Sequence, residues 1–245
     1  SAGGDFMVVP VTPGPTFAPA LCVVAIIAGR DERDKIAREH LDEALLRQSV
    51  GSQQARRLNE EERRIVAYHE SGHALARRLV GLDPPEILSI VPRGPALGFV
   101  AHSPQEDRYL RSRKQLLDEV VTLLGGRAAE EEVFDEAYSG AADDLARVHG
   151  ICVQMVTEFG MTVAKGPPDS APLAQPTTDY ALSDQTRRDV DVHAQELAHM
   201  AYARARALMQ VNRHCLDDLA TNALERETLT REDLDEIFDA HDLRR

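Results

Sequence analysis

A mainly α fold carrying one small β-hairpin is what this sequence predicts, on three observations. The chain has no Trp and only 4% aromatic residues, while Ala, Leu, Arg and Glu abound, a composition that favours helices over a β-sandwich. Apolar residues recur at helical spacing through most of the chain beyond residue 20. A single stretch, residues 87–102, breaks that pattern with a β-type run, a turn and a second run. With 245 residues and 43% hydrophobic content, the chain can bury the core of one or two domains.

Residues 1–20 hold four prolines and three glycines and read as an irregular segment. Residues 21–51 read as two short helices. The first is the apolar run Leu21 to Ala28, and the second carries Ile36, Leu41, Leu45 and Leu46 on one stripe and ends before Gly51. The apolar run is eight residues long against the roughly twenty that span a bilayer. No basic stretch precedes it and no small-residue cleavage site follows, so neither a membrane span nor a signal peptide is expected in this chain. Residues 52–245 then form the main domain.

Its first helix runs from about Asn59 to Val80. Asn59 and Glu62 stand at capping-box spacing, Glu60 and Glu61 suit the positive end of the helix dipole, and Gly81 with Pro84-Pro85 stops the helix. Gly72 lies in mid-helix at a cost of about 1 kcal/mol against Ala, which points to a neighbouring backbone that needs the surface bare. Ile87 to Val91, the turn residues Pro92 to Pro95, and Leu97 to His102 form the hairpin. Helices resume at Gln105. One spans about 112–134 with Leu116, Leu117, Val120, Val121 and Leu124 inward, and another about 141–159. Four prolines between Lys165 and Thr178 mark a surface loop, and helices follow at about 183–212, 216–224 and from Arg231.

The formal charge of -13 argues against a nucleic-acid partner, because phosphates are held by an excess of Lys and Arg. Arg56-Arg57, Arg63-Arg64 and Arg77-Arg78 are read as solvated helix faces. Cys22, Cys152 and Cys215 are far apart, with neither disulfide-framework nor thiolate-metal spacing, and suit the core of a protein from a reducing compartment.

The chemistry sits in His69-Glu70-Ser71-Gly72-His73. Residues four apart share a helix face, so His69 and His73 can hold a zinc ion while Glu70, beside them, can act on a zinc-bound water. Catalytic zinc usually takes a third protein ligand and leaves one position to water. Asp144 shares a helical stripe with Val148, Ile151 and Met155 and faces inward, whereas Asp143 shares one with Arg147, Gly150 and Gln154 and faces water. An inward carboxylate needs a metal or a partner, so Asp144 is the expected ligand, a buried salt bridge to an arginine being the alternative. Asp143 is expected to cap the helix start beside Ser139. Glu130 is the second choice of ligand, although Glu130, Glu131 and Glu132 together read more simply as a charged helix end. His40, His193, His199, His214 and His241 lie in polar helical stretches, and His102 and His149 have no partner at ligand spacing.

Assembled, these pieces resemble the peptidase domain of the FtsH family, the membrane-anchored AAA zinc proteases. The resemblance rests on Ile65 to Ala74 around the histidines, Val91-Pro92-Arg93-Gly94 with Leu97-Gly98-Phe99, and Glu106 to Leu110. It continues through Gly125 to Glu131, Ser139 to Leu145 and Met155 to Met161, in order, over about residues 58–238. It implies a helical zincin-type peptidase fold, zinc on His69, His73 and Asp144, and a sixfold homo-oligomer. It also implies a cytoplasmic location at the inner face of a membrane, reached through other parts or partners. Residues 21–51 resemble the end of an AAA lid. The chain departs from the family in showing no G-x-x-x-x-G-K-[ST] loop and no anchor, and residues 1–20 match nothing in it.

The expected activity is therefore zinc-dependent endopeptidase action on unfolded polypeptides, with Glu70 as general base and the substrate paired along the hairpin edge. The other class is a catalytically idle protease-like domain that serves as an interaction module. An intact Glu70 speaks against it, since a structural zinc has no use for that residue.

Overall fold

The computed structural model describes residues 58–93, 96–102, 110–162 and 183–243. The chain divides into two compact units, residues 1–55 with 93–96 and residues 56–92 with 97–245. The irregular segment 1–20, the helical segment 21–51, the helix restart at Gln105 and the loop over 165–178 lie outside the described residues. The described part of the second unit is mainly helical, as composition and periodicity predict.

Helix α1 spans Glu60–Val80. Its start is the predicted capping box: Asn59 Oδ1 accepts from the Glu62 N–H at 2.8 Å, and the Glu62 carboxylate accepts from the Asn59 N–H at 3.0 Å. Gly81 ends it in the left-handed region at φ 75°. Strands β1 (Ile87–Ser89) and β2 (Phe99–Ala101) pair antiparallel with Leu88 opposite Val100. Helix α2 is Arg113–Phe134, capped reciprocally by Ser112 and Gln115, and all five residues expected to face inward are buried. A short 3-10 turn (Ser139–Ala141) leads into α3 (Ala142–Thr157). Helices α4 (Asp184–Val211) and α5 (Arg213–Arg226) follow, then strand β3 (Thr228–Thr230) and helix α6 (Arg231–Ala240).

One local expectation is extended and another corrected. The predicted hairpin forms and a third strand adds to it, giving a three-stranded antiparallel sheet ordered β2-β1-β3 in which β1 is paired on both sides. Strand β3 is Thr-Leu-Thr, with only Leu229 buried, too short to show a period in the sequence. Asp143 does not cap α3: the N-cap is Ala141, with no side-chain cap bond, and Asp143 lies inside the first turn.

The core lies where α1 and α2 cross, with α4 and α5 packed around them. The crossing is backbone against backbone. A Cβ on Gly72 would come within 2.4 Å of the Gly125 carbonyl oxygen, and one on Gly125 within 2.5 Å of the Gly72 carbonyl oxygen. That is the close neighbour the mid-helix glycine implied, at distances no side chain tolerates. Asp118 on α2, 1% exposed, binds Lys114 Nζ and Arg204 Nη1, each at 2.6 Å, and so ties α2 to α4. No helix among the described residues is long and apolar enough to cross a membrane.

Candidate metal centre

Helix α1 carries His69 and His73 into the core on the face that meets α2, as a four-residue spacing requires. Their rings meet edge to face, with centroids 4.6 Å apart, and their Nε2 atoms are separated by 3.0 Å. Asp144, from the first turn of α3, completes the group: its Oδ2 lies 3.3 Å from His69 Nε2 and 3.2 Å from His73 Nε2. Among the described residues these three alone offer ligand atoms within 4.8 Å of one another.

The donor set fits zinc. Ligands about 2.0–2.1 Å from a tetrahedral ion stand roughly 3.3 Å apart, close to the separations found here. Three protein donors also leave the fourth position open. The tautomers suit the same role. His69 Nδ1 lies 2.6 Å from Glu130 Oε1 and His73 Nδ1 lies 2.8 Å from the Thr122 carbonyl oxygen. Those acceptors require Nδ1–H on both rings and leave both Nε2 atoms facing the cluster. Both partners belong to α2, so one helix supplies the imidazoles and its neighbour orients them.

Glu130 thus stands behind the cluster, bonded to His69 rather than among the three converging donors. It is 1% exposed, and its second oxygen accepts from the Tyr138 N–H at 3.1 Å. Tyr138 stacks edge to face on Phe134, and Phe134 on Tyr68, so the turn that holds Glu130 is itself packed against α1. The helical phase that places Asp144 inward would have done the same for Glu130, seven residues after buried Leu123. Glu131 and Glu132, only part-buried, are the charged helix end that the run suggested.

Backbone completes the site, and the sequence did not flag how. A Cβ on Gly126 would stand 2.7 Å from the Nε2 atoms of both histidines, so α2 lies flush against the rings. Without metal the cluster holds its charges tightly. Burial pulls the His69 pKa down, but hydrogen bonds to Asp144 and Glu130 outweigh it and push it up to about 10. Burial raises the Asp144 carboxyl, yet its bonds to His69 and His73 hold it well below the usual carboxylate range. Glu70, 7% exposed, is raised chiefly by burial, with the two histidines pulling the other way.

The profile of peptidase family M41 matches residues 56–237. This chain belongs to the M41 peptidase family. Among curated M41-type relatives, the ATP-dependent zinc metalloprotease FtsH of Endomicrobium trichonymphae is 36% identical over 242 residues, covering 94% of this chain and 38% of the relative. The protein of the same name from Cutibacterium acnes is 36% identical over 241 residues, covering 93% of this chain and 33% of the relative. That from Thermotoga maritima is 37% identical over 224 residues, covering 87% and 37%. This M41 chain therefore spans well under half the length of the relatives it matches.

Proposed function

We propose that this domain is a zinc-dependent endopeptidase in which His69, His73 and Asp144 hold the metal and Glu70 is the general base. The observation that carries the reading is the convergence of two Nε2 atoms and one carboxylate oxygen, all within 3.3 Å, beside a buried carboxylate that is not one of the three. When bound there, zinc supplies a water acidic enough to lose its proton near neutral pH and an electrophile for the carbonyl oxygen.

The rest is done by the chain's own residues. Glu70 takes the proton on a carboxylate oxygen and returns it to the leaving amine. Burial makes it more basic than an ordinary Glu, nearer the pKa a base needs at neutral pH. Glu130 and the Thr122 carbonyl keep the imidazoles turned toward the metal.

The substrate is an unfolded polypeptide. Strand β1 is paired on both sides, which among the described residues leaves the outer edges of β2 and β3, and strand addition is assigned to β2 because Gly98, just before it, lies against Glu70. Backbone pairing asks for an extended chain rather than for particular side chains. Opening a folded domain works against about 5–15 kcal/mol, work that an already extended chain does not require. The relatives' ATP dependence belongs to proteins of which this chain matches a part, and a homo-oligomer, a hexamer by family likeness, is the assembly proposed.

Zinc content and casein hydrolysis, measured together for the wild type and Glu70→Gln, test this reading. The variant should keep about one zinc per chain and lose nearly all hydrolysis. Full activity in Glu70→Gln would sink the mechanism, and wild-type protein that binds zinc but cuts nothing would leave only an interaction module.

A further inference from the structure

His69 and His73 are each held by a hydrogen bond, but among the described residues none holds Glu70. Its described neighbours act on it through burial and charge alone, so packing must place its carboxylate. One wall of that packing is Gly98, buried on the approach to β2. A Cβ at Gly98 would lie 2.8 Å from Glu70 Cγ, 2.9 Å from Glu70 Oε1 and 2.8 Å from Val66 Cγ1. Carbon atoms in contact prefer about 3.5–4.0 Å, so the methyl of an alanine does not fit beside Glu70 as it stands. Backbone conformation gives no reason for this glycine, since the positive-φ glycines are Gly81 and Gly160.

We propose that Gly98 is the positioning residue for Glu70: the approach to the strand that takes the substrate leaves out one side chain, and the base occupies that space. The inference rests on the reading of Glu70 as the proton carrier. It also fixes how the substrate strand and the base relate, because the same piece of backbone meets both. A side chain at 98 would meet two side chains, Glu70 at Cγ and Oε1 and Val66 at Cγ1, rather than another backbone. The fold should therefore survive the change, and the carboxylate should move.

The test is Gly98→Ala in the full chain, with zinc content, far-UV circular dichroism, and kcat and KM on an internally quenched peptide. Zinc and helix content should match the wild type, KM should stay within about twofold, and kcat should fall about tenfold or more, since misplacement by an ångström can cost that much. Val66→Ala added to Gly98→Ala opens the other side of the contact, and kcat should recover several-fold relative to Gly98→Ala. Wild-type kcat in Gly98→Ala, a rise in KM alone, or loss of zinc would each overturn the proposal. So would a double variant with no recovery. Should Gly98→Ala fail to fold, the double variant is read on the same terms, and failure of both would show that the contact carries the fold and not the base. Full activity in Glu70→Gln would instead remove the base reading, whatever Gly98→Ala does.

Discussion

The two helices that bring the site together are built differently. Helix α1 is buried along much of its length, is crossed by α2 at Gly72, and has each of its histidines held through Nδ1 by a group on α2. Helix α3 has four buried residues, Val148, Cys152, Met155 and Val156, and starts without a side-chain cap. Its contribution to the cluster, Asp144, has a side chain 19% exposed, held by the histidines themselves. Two donors are therefore fixed by the core before any metal arrives, while the third comes from a lightly anchored helix. Changes on the α1–α2 side should damage fold and metal site together, and changes on the exposed face of α3 away from Asp144 should leave both intact.

The largest expected effect breaks the crossing. Gly72→Ala places a methyl against a backbone carbonyl that cannot swing aside, so the helices must separate. Overpacking of this kind costs about 1–3 kcal/mol. At roughly 2–4 °C per kcal/mol for a domain of this size, thermal unfolding should shift down by several degrees, with zinc lost as well. A melting temperature equal to the wild type's would mean that the two helices are not pressed together at Gly72 and Gly125.

Next come the carboxylates. Asp144→Ala removes a donor and should weaken zinc binding by more than about 100-fold, beyond the 10–100-fold that loss of a ligand's partner typically costs. Glu130→Gln should fall inside that lower range, because a neutral amide still reaches His69 but no longer favours its Nδ1–H. Asp143→Ala should do little, since its side chain is exposed and caps nothing. Competition with a chromophoric chelator ranks the three. Asp143→Ala weaker than Asp144→Ala would overturn the assignment.

The sequence made much of this legible, and for one reason. Helical phase is a local property, so it put His69 and His73 on one face, separated Asp144 from Asp143, and gave the inward set of α2. Caps were equally plain, as Asn59 with Glu62 shows. What phase cannot give is which inward group meets which. Glu130 looked like a ligand or a charged helix end because its acceptor role exists only once α2 lies across α1. Gly125 and Gly126 read as a family motif until their contacts with Gly72 and the imidazoles were in view. Strand β3 depends on pairing with β1, almost 140 residues away, and its three residues hold too little pattern to show it.

A pH experiment sharpens the contrast between the helices. Without metal, His69 on α1 is pushed up to about 10, above its ordinary 6.5, so it is protonated at neutral pH. Asp144 on α3 is held low and has already lost its proton. Zinc needs both free of protons, so binding at pH 7–8 should release about one proton, from α1, as calorimetry in buffers of different ionisation enthalpy will report. The same shift predicts the stability of the metal-free protein. A raised histidine stabilises fully below 6.5, and that contribution is lost as pH rises toward about 10. Chelator-treated protein should therefore melt at a lower temperature at pH 10 than at pH 6.5. Asp144 acts in the opposite sense and in acid, its contribution disappearing as pH falls below 3.8. No proton release on zinc binding would show that His69 is not held by its two carboxylates.

The smallest effect is expected at a mid-helix glycine that has no neighbour. Gly150 sits in the middle of α3, exposed, and a Cβ there would meet nothing within 4 Å. It borders an open groove of about 510 Å³ lined by Glu119, Arg147, Ile151, Gln154 and Glu158, on the part of α3 beyond Asp144. A glycine inside a helix costs about 0.8–1.0 kcal/mol against alanine through backbone entropy, and here no contact offsets that cost. Gly150→Ala should raise the melting temperature by about 2–4 °C and leave zinc affinity and casein hydrolysis unchanged. The same substitution is thus predicted to destabilise α1 at Gly72 and to stabilise α3 at Gly150. The sign is set by what each missing Cβ would touch, not by helix propensity, which is equal at both places. Loss of zinc or of stability in Gly150→Ala would mean that α3 is held as tightly as α1, and that its exposed face makes a contact which a methyl at 150 disturbs.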